Sequence, residues 1–329
     1  MFECMPDRAS KVINQKFFSE DLPLISNNEE LTAVINSLPE LDVGYVSTGC
    51  IADRKERLER LWEIYREHAE GNFLTEVKTK GKFNERTWEM YLGGTFIAKN
   101  YNLIKKSESG PDLHLNVDGR TIYIEATAPG RGTVDAAPER PNLVPGVIHV
   151  GGGNIEEIAR PRILRITAAV RNKLAQYQKN VEKGVVDPNQ PYVIAINGHG
   201  FCGIATDEDY LMRRSFFSAG LTSYPYMSDG TLGQPFYNYS PVVVKQGQNG
   251  PEVVETDLFL NDKCKDLSAV LFCKDDVINC PIDSDQIGNN LVLLRNPFAK
   301  NKIPDNFADF AREWISDGAG KVSFRPSQV

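Results

Sequence analysis

Apolar and polar residues follow two different periods across residues 83–127. Over residues 83–96 the apolar side chains recur every three or four positions, which predicts a helix with one buried face that ends near Asn100. Apolar and polar residues then alternate on both sides of Asp118-Gly119, a dipeptide typical of tight hairpin turns. This stretch is therefore predicted to form a helix, a polar loop and a β-hairpin.

The same two periods predict other elements of the chain. Four further segments have a helical pattern: residues 29–37, 52–68, 160–183 and 307–315. Asn27 or Asn28 is expected to cap the first of these helices. Three short apolar runs bounded by turn residues predict buried strands: residues 191–198, 267–273 and 290–296. A second hairpin is expected to turn at Asn249-Gly250.

Acidic side chains of the helix and the first hairpin are predicted to meet. Glu125 and Thr127 lie two positions apart on one strand, so both side chains leave the same face. The hairpin brings Asp112, at the start of its first strand, to a place where it can converge with Glu125. Glu89 or Glu85 on the preceding helix can add a third carboxylate. Clustered carboxylates repel one another unless a cation joins them, and their hard oxygens suit magnesium or manganese.

Three short motifs occur in a fixed order along this stretch: WExxL on the helix, GPD before the hairpin and ExT on its second strand. Together they resemble the PD-(D/E)XK nuclease superfamily over about residues 83–196. In that family a helical Glu, an Asp after Pro and an acidic residue two positions before a Lys hold a divalent metal. The resemblance implies that Glu89, Asp112 and Glu125 are metal ligands and catalytic residues, with Mg or Mn as the cofactor.

Thr127 departs from the family's pattern, which has Lys at this position to orient the attacking water or to stabilise charge on phosphate. The helix after the hairpin packs beside the active site in that family, and here it is strongly basic. Lys173, or with less support Arg165, can replace the missing Lys. Arg165, Arg171 and Gln176 are predicted to contact the substrate. A solvated basic helix face is the alternative interpretation of each of these residues.

The resemblance implies an α/β fold with a restriction-endonuclease-like mixed central sheet flanked by helices. The residue pattern adds an N-terminal helical region and a loop-rich insertion. Four segments are predicted: a helical region at 1–75, a nuclease-like core at 76–205, an insertion or lid at 206–262, and C-terminal strands and a helix at 263–329. Aromatic side chains of the insertion can stack nucleobases or, as we prefer, pack a loop-rich region: Tyr224, Tyr226, Phe236, Tyr237 and Tyr239.

Composition narrows the range of functions only slightly. The 329 residues are 41% hydrophobic and 25% charged, as in an ordinary globular protein. A net charge of −7 argues against a protein coated in basic surface, although a local basic groove is still allowed. The six cysteines are scattered without a CxxC pair, which disfavours a zinc site and is typical of reduced, buried thiols. We find no signal peptide and no apolar stretch near the ~20 residues that span a bilayer, so a cytoplasmic protein without a membrane partner is expected.

Three functions are compatible with these residues. We prefer a metal-dependent nuclease that hydrolyses phosphodiester bonds in DNA, with both a monomer and a homodimer left open. The second is a nuclease fold that has lost catalysis and serves as a nucleic-acid or protein binding module, which Thr127 favours. The third is a hydrolase built on a cysteine and a histidine, for which the sequence has no family signature.

Overall fold

The computed structural model describes residues 15–18, 20–104, 110–133, 135–138, 154–203, 207–247, 250–317 and 321–327. The chain divides into two compact units. The first contains Met1–Thr127 and Asp276–Asn290, and the second contains Ala128–Asp275 and Leu291–Val329. The four segments expected from the sequence stay a prediction.

Helices make up much of the first unit. They are α1 (Asn28–Ser37), α2 (Val43–Gly49), α3 (Ala52–Tyr65), α4 (Phe73–Lys78) and α5 (Phe83–Ala98). Asn27 caps α1, as predicted, because its side-chain oxygen accepts a hydrogen bond of 2.9 Å from the backbone N–H of Glu30. Helix α5 is followed by Asn100 in the left-handed conformation, with φ of 63°, which confirms the predicted end of this helix.

The strands of the first unit form an antiparallel sheet in the order β1 (Asn102–Ile104), β2 (Leu113–Val117) and β3 (Arg120–Thr127). Asp118 and Gly119 both have positive φ, 51° and 77°, as a two-residue type I′ turn requires. The predicted hairpin is therefore confirmed. Helix α5 packs against β1 and β3, which places the helix beside the hairpin.

The second unit contains a mixed sheet and helices. Its long helix α6 (Ile155–Glu182) begins after Asn154, whose side chain caps it. The strands of its larger sheet are, in spatial order, β4 (Tyr192–Asn197), β9 (Ala269–Cys273), β10 (Val292–Arg295), β11 (Arg312–Ser316) and β12 (Val322–Arg325). The pairs β4–β9 and β10–β11 are parallel, and the other two neighbouring pairs are antiparallel. Helix α6 packs against β4.

The described part of residues 206–262, the segment predicted to be an insertion, contains one helix and two small antiparallel sheets. Its elements are α7 (Glu208–Phe216), β5 (Ala219–Ser223), β6 (Phe236–Tyr239), β7 (Val242–Gly247) and β8 (Gly250–Glu255). Strands β7 and β8 pair as the predicted hairpin, although Asn249 lies outside the described residues. Four aromatic side chains of this region are exposed, so the expectation that they pack a core is wrong for them: Tyr224, Tyr226, Phe236 and Tyr239.

The prediction of a helix over residues 307–315 is wrong. Turns occupy the first part of this segment, where Ala308 has a φ of 54°, and strand β11 begins at Arg312. Strand β11 pairs with β10 on one side and with β12 on the other. The helix-like spacing of Phe307, Phe310 and Trp314 was misleading because pairing with two distant strands decides the local conformation.

The α/β class is confirmed, with helices packed against strands in each unit and a mixed sheet in the second. In the part of the chain that the structure describes, no helix has the length and apolar character needed to cross a membrane.

The contact between α3 and α5 depends on a glycine. A Cβ at Gly93 would lie 2.3 Å from the Tyr65 ring, which is fully buried. Gly93→Ala should therefore lower the free energy of unfolding by about 1–3 kcal/mol, as overpacking of a core does. Gly71→Ala is the matched control, since a Cβ there meets nothing within 4 Å. Urea unfolding measures both changes, and equal midpoints for the two variants would contradict this packing.

Candidate active site

Glu89 lies on a helix whose residues 87–96 are all buried. Only 1% of Glu89 is exposed, and the glycines at 93 and 94 allow the side chains of Tyr65 and Leu61 to approach this helix closely. A carboxylate in such a place is costly unless it is paired and hydrogen-bonded. The environment of Glu89 must therefore supply donors.

Two side chains donate to Glu89, one to each carboxylate oxygen. The Tyr65 hydroxyl donates a hydrogen bond of 2.8 Å to Oε1, and the Arg86 guanidinium donates to Oε2. Arg86 stands one helical turn before Glu89, so the two side chains share a face of α5. This pairing fixes the orientation of the Glu89 carboxylate.

Arg86 also connects Glu89 to acidic residues outside α5. It forms an ion pair with Glu76 on α4 and lies 3.9 Å from Glu70. Burial alone would lower the pKa of Arg86, but Glu89 and then Glu76 raise it above its ordinary value. Burial, followed by Glu89, Asp112 and Glu70, raises the pKa of Tyr65 well above its ordinary value.

Asp112 and Glu125 are brought together by the register of the hairpin. Leu113 pairs with Ile124, so the register continued by one residue places Asp112 opposite Glu125. The Asp112 Oδ2 atom accepts a hydrogen bond of 2.7 Å from the backbone N–H of Ala126, which holds its carboxylate at the end of β3. Glu125 is 2% exposed, whereas Asp112 is partly exposed. The predicted convergence of these two residues agrees with this geometry.

One face of the hairpin carries polar groups along both strands. Paired residues on antiparallel strands share a face, so Asp112 and His114 of the first strand lie on the same side as Tyr123, Glu125 and Thr127 of the second. The rings of His114 and Tyr123 meet edge to face, with centroids 4.9 Å apart. The opposite face is apolar, which fixes the register and keeps the acidic pair together.

The third predicted carboxylate does not complete a three-ligand group. Among the described residues, no three His, Cys, Asp or Glu side chains are arranged so that they could hold a metal ion. Glu89 is bound by Tyr65 and Arg86, and Glu85 pairs with Lys82 at the start of α5. Asp112 nevertheless affects the same Tyr65 phenol that Glu89 binds.

The carboxylate pair of Asp112 and Glu125 fits magnesium or manganese. Magnesium in proteins is usually held by one or two carboxylates, with water and substrate phosphate as its other ligands. Two carboxylates on one face, one of them partly exposed, match that donor set. Glu89, a buried anchor whose oxygens accept hydrogen bonds from Tyr65 and Arg86, is not needed for that donor set.

The second unit contains the predicted basic residues, all on α6. Arg171 and Gln176 are exposed, and Lys173 is partly exposed. The Arg165 Nε atom donates a hydrogen bond of 2.9 Å to the carbonyl oxygen of Gly130. Burial lowers the pKa of Arg165. In the first unit, Thr127 is partly exposed on the acidic face, the face of the hairpin that carries Asp112 and Glu125, and its side chain brings no charge there.

Tyr65 and Arg86 were not identified from the sequence. The spacing of Arg86 and Glu89, three residues apart on one helix, is a signal that could have found the ion pair. Tyr65 lies in the predicted helix over residues 52–68, but the helical pattern gives no information about the partner of its hydroxyl. Its partner lies 24 residues away, and only tertiary packing brings the two together.

The buried Tyr65 phenol predicts a loss of stability at alkaline pH. The unfolded chain releases this proton near pH ~10, while the folded chain retains it to higher pH. The unfolded state then binds fewer protons, so the free energy of unfolding falls as pH rises above ~10, by about 1.4 kcal/mol per pH unit for this group. Tyr65→Phe should remove that part of the slope.

Urea unfolding between about pH 9 and pH 11 measures the slope. Tyr226→Phe is the matched control, because this tyrosine is 78% exposed and should leave the slope unchanged. Identical alkaline slopes for wild type and Tyr65→Phe would show that the phenol is not held neutral in the folded chain.

Comparison of the chain with protein-family models, with curated proteins and with solved structures gave no match. Function is therefore inferred from the residues and contacts of the acidic face and of the Glu89 anchor.

Proposed function

We propose that this protein is a metal-dependent nuclease that hydrolyses phosphodiester bonds in DNA. The observation that carries the proposal is the position of Asp112 opposite Glu125 on one face of the hairpin. Two carboxylates at neighbouring positions repel each other, and a divalent cation between them relieves that repulsion. A cation held in this way can activate a water and offset charge on a phosphate, two roles that serve phosphodiester hydrolysis.

The order of elements along the chain supports the proposal. Helix α5 is followed by the strands β1, β2 and β3, then by helix α6 and strand β4. This is the helix, hairpin, helix, strand order that the PD-(D/E)XK resemblance implies. The three motif acids occupy matching places in it, with Glu89 on the helix, Asp112 before β2 and Glu125 on β3.

Each acidic residue has a separate role in this proposal. Asp112 and Glu125 would hold magnesium or manganese, and Asp112 is oriented by its hydrogen bond from Ala126. When bound, the ion lowers the pKa of an attacking water and offsets charge on the phosphate. Glu89, fixed by Tyr65 and Arg86, would hold helix α5 against β3, the strand that carries Glu125.

The positive charge normally supplied at position 127 must come from another residue. The Thr127 hydroxyl can hydrogen-bond a water or a carboxylate oxygen, but it cannot offset charge on a phosphate oxygen. Arg165 already donates to the carbonyl of Gly130. We propose Lys173 as the charge, with Arg171 and Gln176 as substrate contacts on the same helix.

A binding module that has lost catalysis is the second candidate. Both oxygens of Glu89 already accept a hydrogen bond, from Tyr65 and from Arg86. Together with the uncharged Thr127, this arrangement favours a nuclease fold that binds nucleic acid without cutting it. The two candidates differ in whether the metal-loaded protein cleaves DNA.

A DNA-cleavage assay tests whether Lys173 supplies the positive charge. Lys173→Ala should lower manganese-dependent cleavage of linear duplex DNA by on the order of a hundredfold, because a positioned charge no longer stabilises the transition state. Adding Thr127→Lys to that variant should restore part of the rate. Lys179→Ala is the matched control, since it removes an exposed lysine from the same helix.

Two results would change these assignments. Wild-type protein that binds manganese but cuts neither DNA nor RNA with any divalent ion would favour the binding module. A Lys173→Ala variant as active as wild type would keep the nuclease and remove Lys173 from its site.

A further inference from the structure

A cavity of about 490 Å³ lies within the second unit, between strands β5 and β6 and the start of β12. The described residues that line it include three aromatic side chains on β6, Phe236, Tyr237 and Tyr239, and Lys321 just before β12. The volume is within the roughly 300–1,000 Å³ of pockets that take small ligands. Neither the proposed metal site nor the basic helix uses these residues.

The rings of this cavity are exposed to an unusual degree for aromatic side chains. Phe236 is 52% exposed and Tyr239 is 49% exposed. Apolar surface gathered around a cavity marks a binding site more often than chance exposure does.

Tyr237 gives the cavity a fixed wall. The Arg213 guanidinium carbon lies 4.9 Å from the centre of the Tyr237 ring and 4.6 Å from that of Trp314. The cation is therefore within cation–π distance of both rings, an attraction that restrains the Tyr237 ring. A platform that is already ordered loses less entropy when a ligand binds.

Charge contributes little at this cavity. Lys321 is the one cation among the described residues that line it, and the Lys321 backbone N–H donates a 3.0 Å hydrogen bond to the Asp317 carboxylate. Burial and then Asp317 raise the pKa of Tyr239, which keeps that phenol neutral. A ligand must therefore gain most of its affinity from stacking on the rings.

We propose that this cavity binds an unpaired base of a single-stranded nucleic acid. A base offers an aromatic face to Phe236 and Tyr239, and its phosphate can reach the one cation, Lys321, that lines the described part of the cavity. Bases in a duplex are already stacked on their neighbours, so the cavity selects unpaired strands. The choice of nucleic acid as the ligand class rests on the proposed function.

The test uses a fluorescent oligothymidylate of about 15 nucleotides in EDTA, with a hairpin duplex for comparison. Phe236→Ala and Tyr239→Ala should each weaken binding of the single strand by about 5- to 150-fold, and Phe236→Trp should retain it. Tyr226→Ala is the matched control, an exposed aromatic that does not line the cavity. Lys321→Ala should reduce the log–log salt slope by about 0.7, the value for a single phosphate contact.

Several results would overturn the proposal. One is that wild type fails to bind the single strand, or binds the duplex equally well. Another is that Tyr226→Ala weakens binding as much as Phe236→Ala does. A third is self-association of wild type that Phe236→Ala abolishes while strand binding is unchanged.

The design separates this proposal from the nuclease proposal. Binding is measured without metal, so it does not depend on cleavage. If the protein binds the single strand as expected but cleaves no DNA, the cavity proposal is supported and the nuclease proposal fails. If wild type cleaves DNA but Phe236→Ala binds the single strand as tightly as wild type does, only the cavity proposal is overturned.

Discussion

The first unit depends on how it accommodates the buried carboxylate of Glu89. A charge with 1% exposure is strongly destabilising unless donors replace the water that it loses. Tyr65 from α3 and Arg86 from α5 supply those donors, and Arg86 extends the ion pair to Glu76 on α4. Removing either donor takes away part of that compensation, which costs more than the pair contributes. The network therefore fixes how three helices pack.

The hairpin that carries Asp112 and Glu125 packs beside this anchored helix. Helix α5 packs against β3, the strand that carries Glu125. The two-residue turn sets the hairpin register, and that register places Asp112 opposite Glu125. Two carboxylates on one face can hold a divalent ion with help from water and phosphate. Glu89 is thus engaged in the packing of three helices, whereas Asp112 and Glu125 share one face of the hairpin, where Asp112 is partly exposed.

The sequence predicted the parts of this arrangement that local chemistry decides. Asp118-Gly119 determines the turn of the hairpin, and Asn100 determines the end of helix α5, because these residues adopt left-handed backbone conformations. Long-range contacts were missed. The Tyr65 hydroxyl finds Glu89 only after α3 and α5 pack, and residues 312–316 become a strand only because two strands flank them. The exposure of Phe236 and Tyr239 was also missed, because the residue type alone does not determine whether an aromatic side chain is buried.

Calorimetric titration of the full chain with manganese tests most directly whether Asp112 and Glu125 hold one divalent cation. We expect saturable binding to wild type and its loss in both Asp112→Asn and Glu125→Gln, because each substitution removes a charged ligand. Asp118→Asn should bind as wild type does, since Asp118 lies in the turn of the same hairpin and tolerates Asn at its φ of 51°. Manganese binding that is unchanged in Asp112→Asn, or absent in wild type, would contradict the assignment of the acidic pair.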